Sequence, residues 1–544
     1  MEKRIVYAYI LTLALMTGLM VRLAVLSQGE EFRTAAAVQS SYGLEVGESR
    51  GTIYDRNLKP LVNNSSRLVL AVAPTPEAVT ALREQLPAEE FQEDLPLLEN
   101  GKPVVVPASI PVSGQGIECF RLPVRNSQQQ LAPHVIGYVD GSGTGVCGVE
   151  AGYDQLLESW GGEVETHYLI NAFGGALTGG AVQVTDTRPE EQGGVVLTLD
   201  RKIQQLAEQA GEEIPAGAVV VMDPDTGEIL AMASFPDYSP VDVASALEGE
   251  NSPLFNRATA SYSVGSTFKI CVAAAALEMG FTPEYEYVCP GYYDLGEQRY
   301  YCHQRSGHWQ LAMARALRQS CNPYFINLGQ QIGAARLYQM ASDMGFGSAV
   351  KLVEGVVAAT GTLPLPEEID LGELANLSFG QGKLTATPVQ VTQMMASVAN
   401  GGMAVRPTLF AGTTEDGATI ERPTQQEPRR IMSAQTAQQL LVLLGGVVTE
   451  EGSGRQAAPQ FGQAAGKTAS AQTGSYVDGK EVVHGWFTGA WPLEDPRYVI
   501  TVLVEGGESG GELPAQVFRK ITEGLALLED QHLYQDVTGE VILP

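Results

Sequence analysis

The chain has 544 residues, 44% of them hydrophobic, with 34 Lys and Arg against 63 Asp and Glu for a formal net charge of −29. That length and apolar content support about two or three domains with real cores. So acidic a chain lacks the basic footprint that phosphate binding requires, which excludes a nucleic-acid partner, and six cysteines in such a length exclude a disulfide-scaffolded miniprotein.

In chain order, residues 1–4 form a short basic tail, and residues 5–26 read as a transmembrane anchor. Ile5–Val21 is uncharged, Arg22 can snorkel to the interface, and Leu23–Leu26 extends the apolar run. Lys3 and Arg4 predict a cytoplasmic N-terminus with the rest of the chain outside. A cleaved signal peptide is the alternative, but no small-x-small site lies near Leu26 and the run is long for a signal h-region.

Residues 27–190 mix short alternating strands with loops and read as a separate β-rich module. Within it, "TIYDRNLKPLV" (Thr52–Val62) predicts a hairpin, residues 84–100 are acidic and Pro-containing and so exposed, and the Gly-rich residues 171–194 read as a linker. At Val195 the texture changes. A strand, a cap at Asp200 and an amphipathic helix lead into "AVVVMDPDTGEILAMAS", two apolar runs around a turn. A helix from Ser266, apolar on nearly every side and therefore expected to be buried, opens a mostly helical stretch to about residue 450. Three consecutive strands, "GKTASAQT", "HGWFTGAW" and "RYVITVLVEG", and a helix over Glu512–Leu528 close it. The whole of 191–530 therefore predicts an α+β domain with a largely antiparallel sheet flanked by helices, leaving 531–544 as a tail.

Three short patterns carry chemistry. In Ser266-Thr267-Phe268-Lys269 the spacing sets Ser and Lys on one helix face. A serine is a poor nucleophile until a base takes its proton, and a lysine becomes that base when burial lowers its pKa. In Ser320-Cys321-Asn322 a hydroxyl and an amide two residues apart can relay a proton and hold a substrate amide. In Lys467-Thr468-Ala469-Ser470 strand alternation turns Lys467 and Ala469 one way and Thr468 and Ser470 the other, on a strand able to pair with an extended peptide. Taken singly, each pattern also has a plain structural reading as a helix cap or a surface residue. "GQAAGKT" fails as a phosphate loop, because Gly462 is one residue too close to Gly466-Lys467 and no helix follows.

The order S-x-x-K, S-x-N, K-T-x is the signature of the penicilloyl-serine enzymes. The chain further resembles class B penicillin-binding proteins in Arg50–Asn57 ("RGTIYDRN"), "HVIGYVD" from His134, "GVEAGYDQLL" from Gly148, "LSFGQGKLTATPVQV" from Leu377 and "NGG" at Asn400. The resemblance implies a monofunctional D,D-transpeptidase of the penicilloyl-serine transferase fold, which cross-links peptidoglycan stem peptides outside the membrane and is acylated by β-lactams. It implies an elongated N-terminal pedestal or dimerisation-type module over residues 27–190. It also implies partners among membrane glycosyltransferases and cell-wall complex proteins, and no cofactor for the chemistry. The implied roles are Ser266 as nucleophile, Lys269 as base, Ser320, Asn322 and Lys467 in the catalytic network, and Thr468, Ala469 and Ser470 against the substrate. The backbone N–H groups of Ser266 and Ser470 would form the oxyanion hole. Ala469 departs from the usual Gly, and its methyl is expected on the face that substrate approaches. A β-lactam-hydrolysing or -sensing relative and a catalytically silent scaffold are the rival functions.

Cys289, Cys302, His308 and Cys321 make a standard structural zinc set, and some elongation-type relatives are similar in holding zinc beside the second motif. A Cys289–Cys302 disulfide and packed free thiols are the other two readings, and Cys119 could pair with Cys147. His134, His167, His484 and His532 are given no role.

Overall fold

The computed structural model describes residues 2–28, 40–179, 182–424, 427–507 and 509–538. The first helix, α1 (Glu2–Gln28), includes the predicted basic tail. Its Lys3–Val25 stretch has a hydropathy of 1.9 and none of it is buried. At about 1.5 Å per residue such a helix is long enough to cross a bilayer core. The chain divides into two compact units that are not contiguous in sequence, one from residues 1–50, 63–125 and 158–190, the other from 51–62, 126–157 and 191–544.

In the first unit β1 (Ser41–Ser49) pairs with the later strand Gly162–Leu169, and β2 (Ser65–Val72) is the middle of a second sheet. Residues 84–100, expected as an exposed stretch, are largely helical. Here α2 (Ala88–Leu98) turns Phe91, Asp94 and Leu98 inward at helical spacing, and Phe91 and Leu98 join a core with Leu70, Val72 and Leu82. The acidic residues of α2 hid this apolar stripe in the sequence. The flanking strands of the second sheet are β3 (Val104–Ala108) and β4 (Ile117–Val124). The stretch read as a linker contains a strand, Gln183–Asp186, which extends the β1 sheet by pairing with Val164–His167.

In the second unit the "RGTIYDRN" stretch does structural work through Asp55. This buried carboxylate accepts the N–H groups of Asn57 and Lys59, each at 2.8 Å, and that of Arg201 at 3.1 Å. The carboxylate thus ties the predicted turn to the start of α3 (Arg201–Ala210). The predicted cap of α3 is present, with Asp200 Oδ1 accepting from Lys202 and Ile203. With β5 (Gly162–Leu169) and β6 (Gln183–Asp186) in the first unit, the central sheet begins with the next two strands. These are β7 (Gly217–Met222) and β8 (Ile229–Phe235), joined by the Asp-Pro-Asp-Thr-Gly turn, where Gly227 has φ +75°. Every residue of both strands is buried, which is why they read as unbroken apolar runs rather than alternating ones.

After the helical insert come β9 (Ala465–Val477), β10 (Lys480–Trp491) and β11 (Tyr498–Val504). The sheet order is β8-β7-β11-β10-β9, every pair antiparallel, so the strand carrying Lys467 is an edge strand. On one face α3 and the closing helix Leu513–Thr538 share a core with Val219, Val221, Phe487, Ile500 and Val502. The closing helix runs ten residues beyond the predicted Leu528, through the first part of the expected tail; positions 539–544 of that tail lie outside the described residues.

Candidate active site

A four-residue 3₁₀ turn, Gly265–Phe268, runs directly into α4 (Lys269–Glu278). With three residues per turn, a 3₁₀ segment stacks residue i over i+3, so the geometry brings Ser266 and Lys269 onto one side more closely than an α-turn would. Lys269 through Leu277 are all buried, so the apolar helix is in the core and its lysine is fully enclosed.

Lys269 Nζ donates to the Ser320 carbonyl at 2.8 Å, to Ser320 Oγ at 3.1 Å and to Asn322 Oδ1 at 2.7 Å. It also lies 5.5 Å from the centre of the Phe325 ring. The ammonium is thus spent on the second motif, and Ser266 Oγ is not among its partners. Burial lowers the Lys269 pKa to about 7, against smaller opposing effects of Cys321 and Cys302. A neutral amine keeps only two donors, enough for the two shorter bonds, and frees its lone pair for an incoming proton.

The second motif owes its shape to a helix end. After α5 (Met313–Arg318) the Ser320 N–H bonds the Leu317 carbonyl at 3.2 Å and the Cys321 N–H bonds that of Ala316 at 2.9 Å, a Schellman closure with Ser320 at the left-handed position. Ser320 has φ +52°, where glycine is usual. A serine held in that conformation carries a backbone cost of about 1–3 kcal/mol that glycine would avoid. Cys321 then caps α6 (Asn322–Ile332), whose first residue is Asn322.

Lys467 reaches the same hydroxyl from the sheet. Its Nζ donates to Ser320 Oγ at 3.1 Å and to the Thr468 carbonyl at 2.8 Å. It is fully buried, and desolvation, with the Lys269 charge second, holds its pKa well below the ordinary lysine value. Two amines on one oxygen in a dry site cannot both stay charged at little cost.

Along β9, Thr468 is buried with its hydroxyl bonded to Ser453 Oγ at 2.8 Å, while Ser470 is exposed. Ala469 lies against the turn that holds Ser266. It is buried, and a Cβ built on Gly265 would lie 3.2 Å from its methyl, so the extra carbon packs beside the Ser266 turn instead of standing in open cleft.

Cys289, Cys302, His308 and Cys321 are all buried, and their ligand atoms lie within 4.8 Å of one another. Cys289 ends the short strand Tyr287–Cys289, His308 precedes its partner strand Trp309–Leu311, and Cys302 follows the hairpin between them. All six cysteines are free, so neither suggested disulfide is formed. Three thiols and an imidazole enclosed at this range fit a tetrahedral zinc. Cys321 hydrogen-bonds Cys289 and Cys302, which lowers the pKa of both and raises its own.

Sequence reasoning did not find Phe325, Ser453 or Gly380. The Gly265 N–H bonds the Gly380 carbonyl at 2.9 Å, fixing the turn that holds Ser266. The "SFGQG" stretch carried the only signal for Gly380, and nothing marked Ser453.

Comparison with known proteins places the chain in a family. Residues 217–523 match the family described as the penicillin binding protein transpeptidase domain. Stage V sporulation protein D of Bacillus subtilis is 31% identical over 410 residues, which is 71% of this chain and 61% of that protein. Peptidoglycan D,D-transpeptidase PbpA of Mycolicibacterium smegmatis is 32% identical over 361 residues, 61% of this chain and 72% of that protein. The crystal structure of Pseudomonas aeruginosa PBP2 aligns with TM-score 0.64 at 25% identity, covering 89% of this chain and 97% of that one. With a matching family domain over more than half its length and this fold around the three motifs, the chain belongs to the class B penicillin-binding proteins.

Proposed function

We propose that the chain is a membrane-anchored D,D-transpeptidase that cross-links peptidoglycan stem peptides through an acyl-enzyme on Ser266. The observation that carries this reading is the convergence of two buried lysines on Ser320 Oγ. In the proposed cycle, Ser266 Oγ attacks the carbonyl of the penultimate D-Ala of a donor stem. Its proton passes to neutral Lys269, and through the Ser320 hydroxyl to the departing D-Ala amine. The backbone N–H groups of Ser266 and Ser470 stabilise the oxyanion. Lys467, charged while Lys269 is neutral and supported by the incoming carboxylate, and the exposed Ser470 hydroxyl hold the terminal carboxylate; Thr468 joins them on releasing Ser453. An amine on a neighbouring stem then attacks the ester, and the proton path runs in reverse. A β-lactam would acylate the same serine.

On this reading residues 191–530 are the transpeptidase domain, with 51–62 and 126–157 belonging to its unit, so that within the expected 27–190 module the pedestal is built from 63–125, 158–190 and the strand before Arg50; residues 5–26 are the anchor, with residues 1–4 cytoplasmic and the catalytic domain outside the membrane. Chain growth itself would fall to a separate membrane glycosyltransferase. The test is a donor peptide ending in D-Ala-D-Ala offered with an acceptor amine. Release of D-Ala matched by new amide supports the transpeptidase. Rapid hydrolysis of β-lactam without amide formation would make the chain a lactamase, and neither activity would make it a scaffold.

Zinc held by Cys289, Cys302, His308 and Cys321 would be structural, bracing the residue between Ser320 and Asn322. Purified protein is expected to carry close to one zinc per chain by elemental analysis, with Cys321→Ser reducing it to background. Less than about half an equivalent in the parent would contradict the site.

A further inference from the structure

Outside the Ser266 cleft, one of the buried side chains with an unpartnered polar atom is Asp94, and it lies among other charged groups. It lies on the inward face of α2 between Phe91 and Leu98, only 5% exposed, and its Oδ2 is buried with no hydrogen-bond partner. An unpaired buried carboxylate is costly where an apolar residue would pack freely.

Asp94 lines an open groove of about 450 Å³ between α2 and strands β2, β3 and β4. Glu90 and Glu93 share that wall, and Arg67 and Arg121 also line the groove. Glu90 is fixed there by accepting the Ser109 N–H at 3.1 Å. Arg121 donates to Ser66 Oγ at 3.4 Å. Among the described residues neither guanidinium forms an ion pair with any of the three carboxylates. A groove with separate unpaired cations and anions suits a ligand that itself carries both charges. A metal ion suits it less. The described group whose ligand atoms converge within 4.8 Å is the Cys289 set, not these acids, and two guanidinium groups oppose a bare cation.

We propose that this groove binds an α-amino-acid zwitterion, with the ammonium against Asp94 and its neighbouring glutamates and the carboxylate on Arg67 and Arg121. Two sources present that chemistry: a free amino acid, and a wall peptide whose diamino acid keeps an unlinked ammonium and carboxylate on one carbon. The zwitterion site stands on the groove alone, while the wall-peptide source rests on the transpeptidase reading.

The test is isothermal titration of the full chain in detergent, carrying Ser266→Ala to silence the cleft. The probes are meso-diaminopimelic acid, a stem tripeptide ending in it, glycine, cadaverine, glutarate and calcium chloride. Saturable binding of the zwitterions is expected, weakened about tenfold or more by Asp94→Asn and by Arg121→Gln. Asp94→Asn is nearly isosteric, and Arg121 is exposed, so at least one variant retains the fold. Tighter binding of the tripeptide than of the free acid identifies a wall peptide as the source, and equal or weaker binding a free amino acid. No binding by any zwitterion, equal binding by cadaverine or calcium, or affinity unchanged in both variants would overturn the proposal.

Discussion

Replacing Lys269 with alanine is expected to slow acylation of Ser266 by about 10²–10⁴-fold, the usual contribution of a positioned general base. The amine is fully buried, and desolvation brings its pKa to about 7. Only the neutral form accepts a proton, so the acylation rate of the parent should rise about tenfold per pH unit at acid pH and level off above about 7. The sign follows from the group: lowering the pH charges Lys269 and removes the base. Because alanine would leave a cavity beside Phe325, Lys269→Met serves as the second variant, keeping the packing while removing the base. Equal rates in Lys269→Met and the parent, or a rate independent of pH from about 5 to 9, would contradict the assignment.

Gly380→Ala is expected to be the most damaging of the small substitutions around the cleft. Gly380 has φ +79°, and a Cβ there would fall 1.8 Å from the Gly265 carbonyl oxygen and 3.0 Å from Phe268 Cβ. Backbone cannot swing aside as a flexible side chain does, so the turn on both sides of Ser266 must move. The left-handed conformation costs an alanine about 1–2 kcal/mol, and overpacking adds about 1–3 kcal/mol. Gly401→Ala is the matched control, since Gly401 has φ +75° but nothing within 4 Å of its Cβ. Thermal melts should show both variants destabilised and Gly380→Ala more so, and penicillin labelling should fall sharply in Gly380→Ala alone. Comparable labelling of the two would mean that the Gly265–Gly380 contact does not set the Ser266 turn.

The three motifs were legible because each depends on local spacing, and so was the hairpin around Gly227, where turn residues punctuate two buried strands. The sheet's last three strands and closing helix were legible for the same reason. Other features depend on where distant segments meet. The acidic helix over Ala88–Leu98 hides its inward face among surface charges, and Gln183–Asp186 is recruited to a sheet from within a Gly-rich run. The units are discontinuous because Thr52–Tyr54 pairs in parallel with Gly194–Leu197, a partnership that no local pattern announces. Strand alternation puts Ala469 on the face of Lys467, but the sequence does not say that the Gly265 turn packs against that face. Likewise, spacing put Lys269 on the side of Ser266, while the hydrogen bonds that hold its amine come from Ser320 and Asn322, more than fifty residues away.

The central claim is that Ser266 carries the acyl group. It is tested most directly by incubating the full chain with benzylpenicillin, measuring the intact mass, and mapping the adduct by peptide fragmentation beside Ser266→Ala. The account predicts one stable penicilloyl adduct on Ser266 in the parent and none in the folded variant. An adduct on another residue, or one that persists in Ser266→Ala, would contradict it.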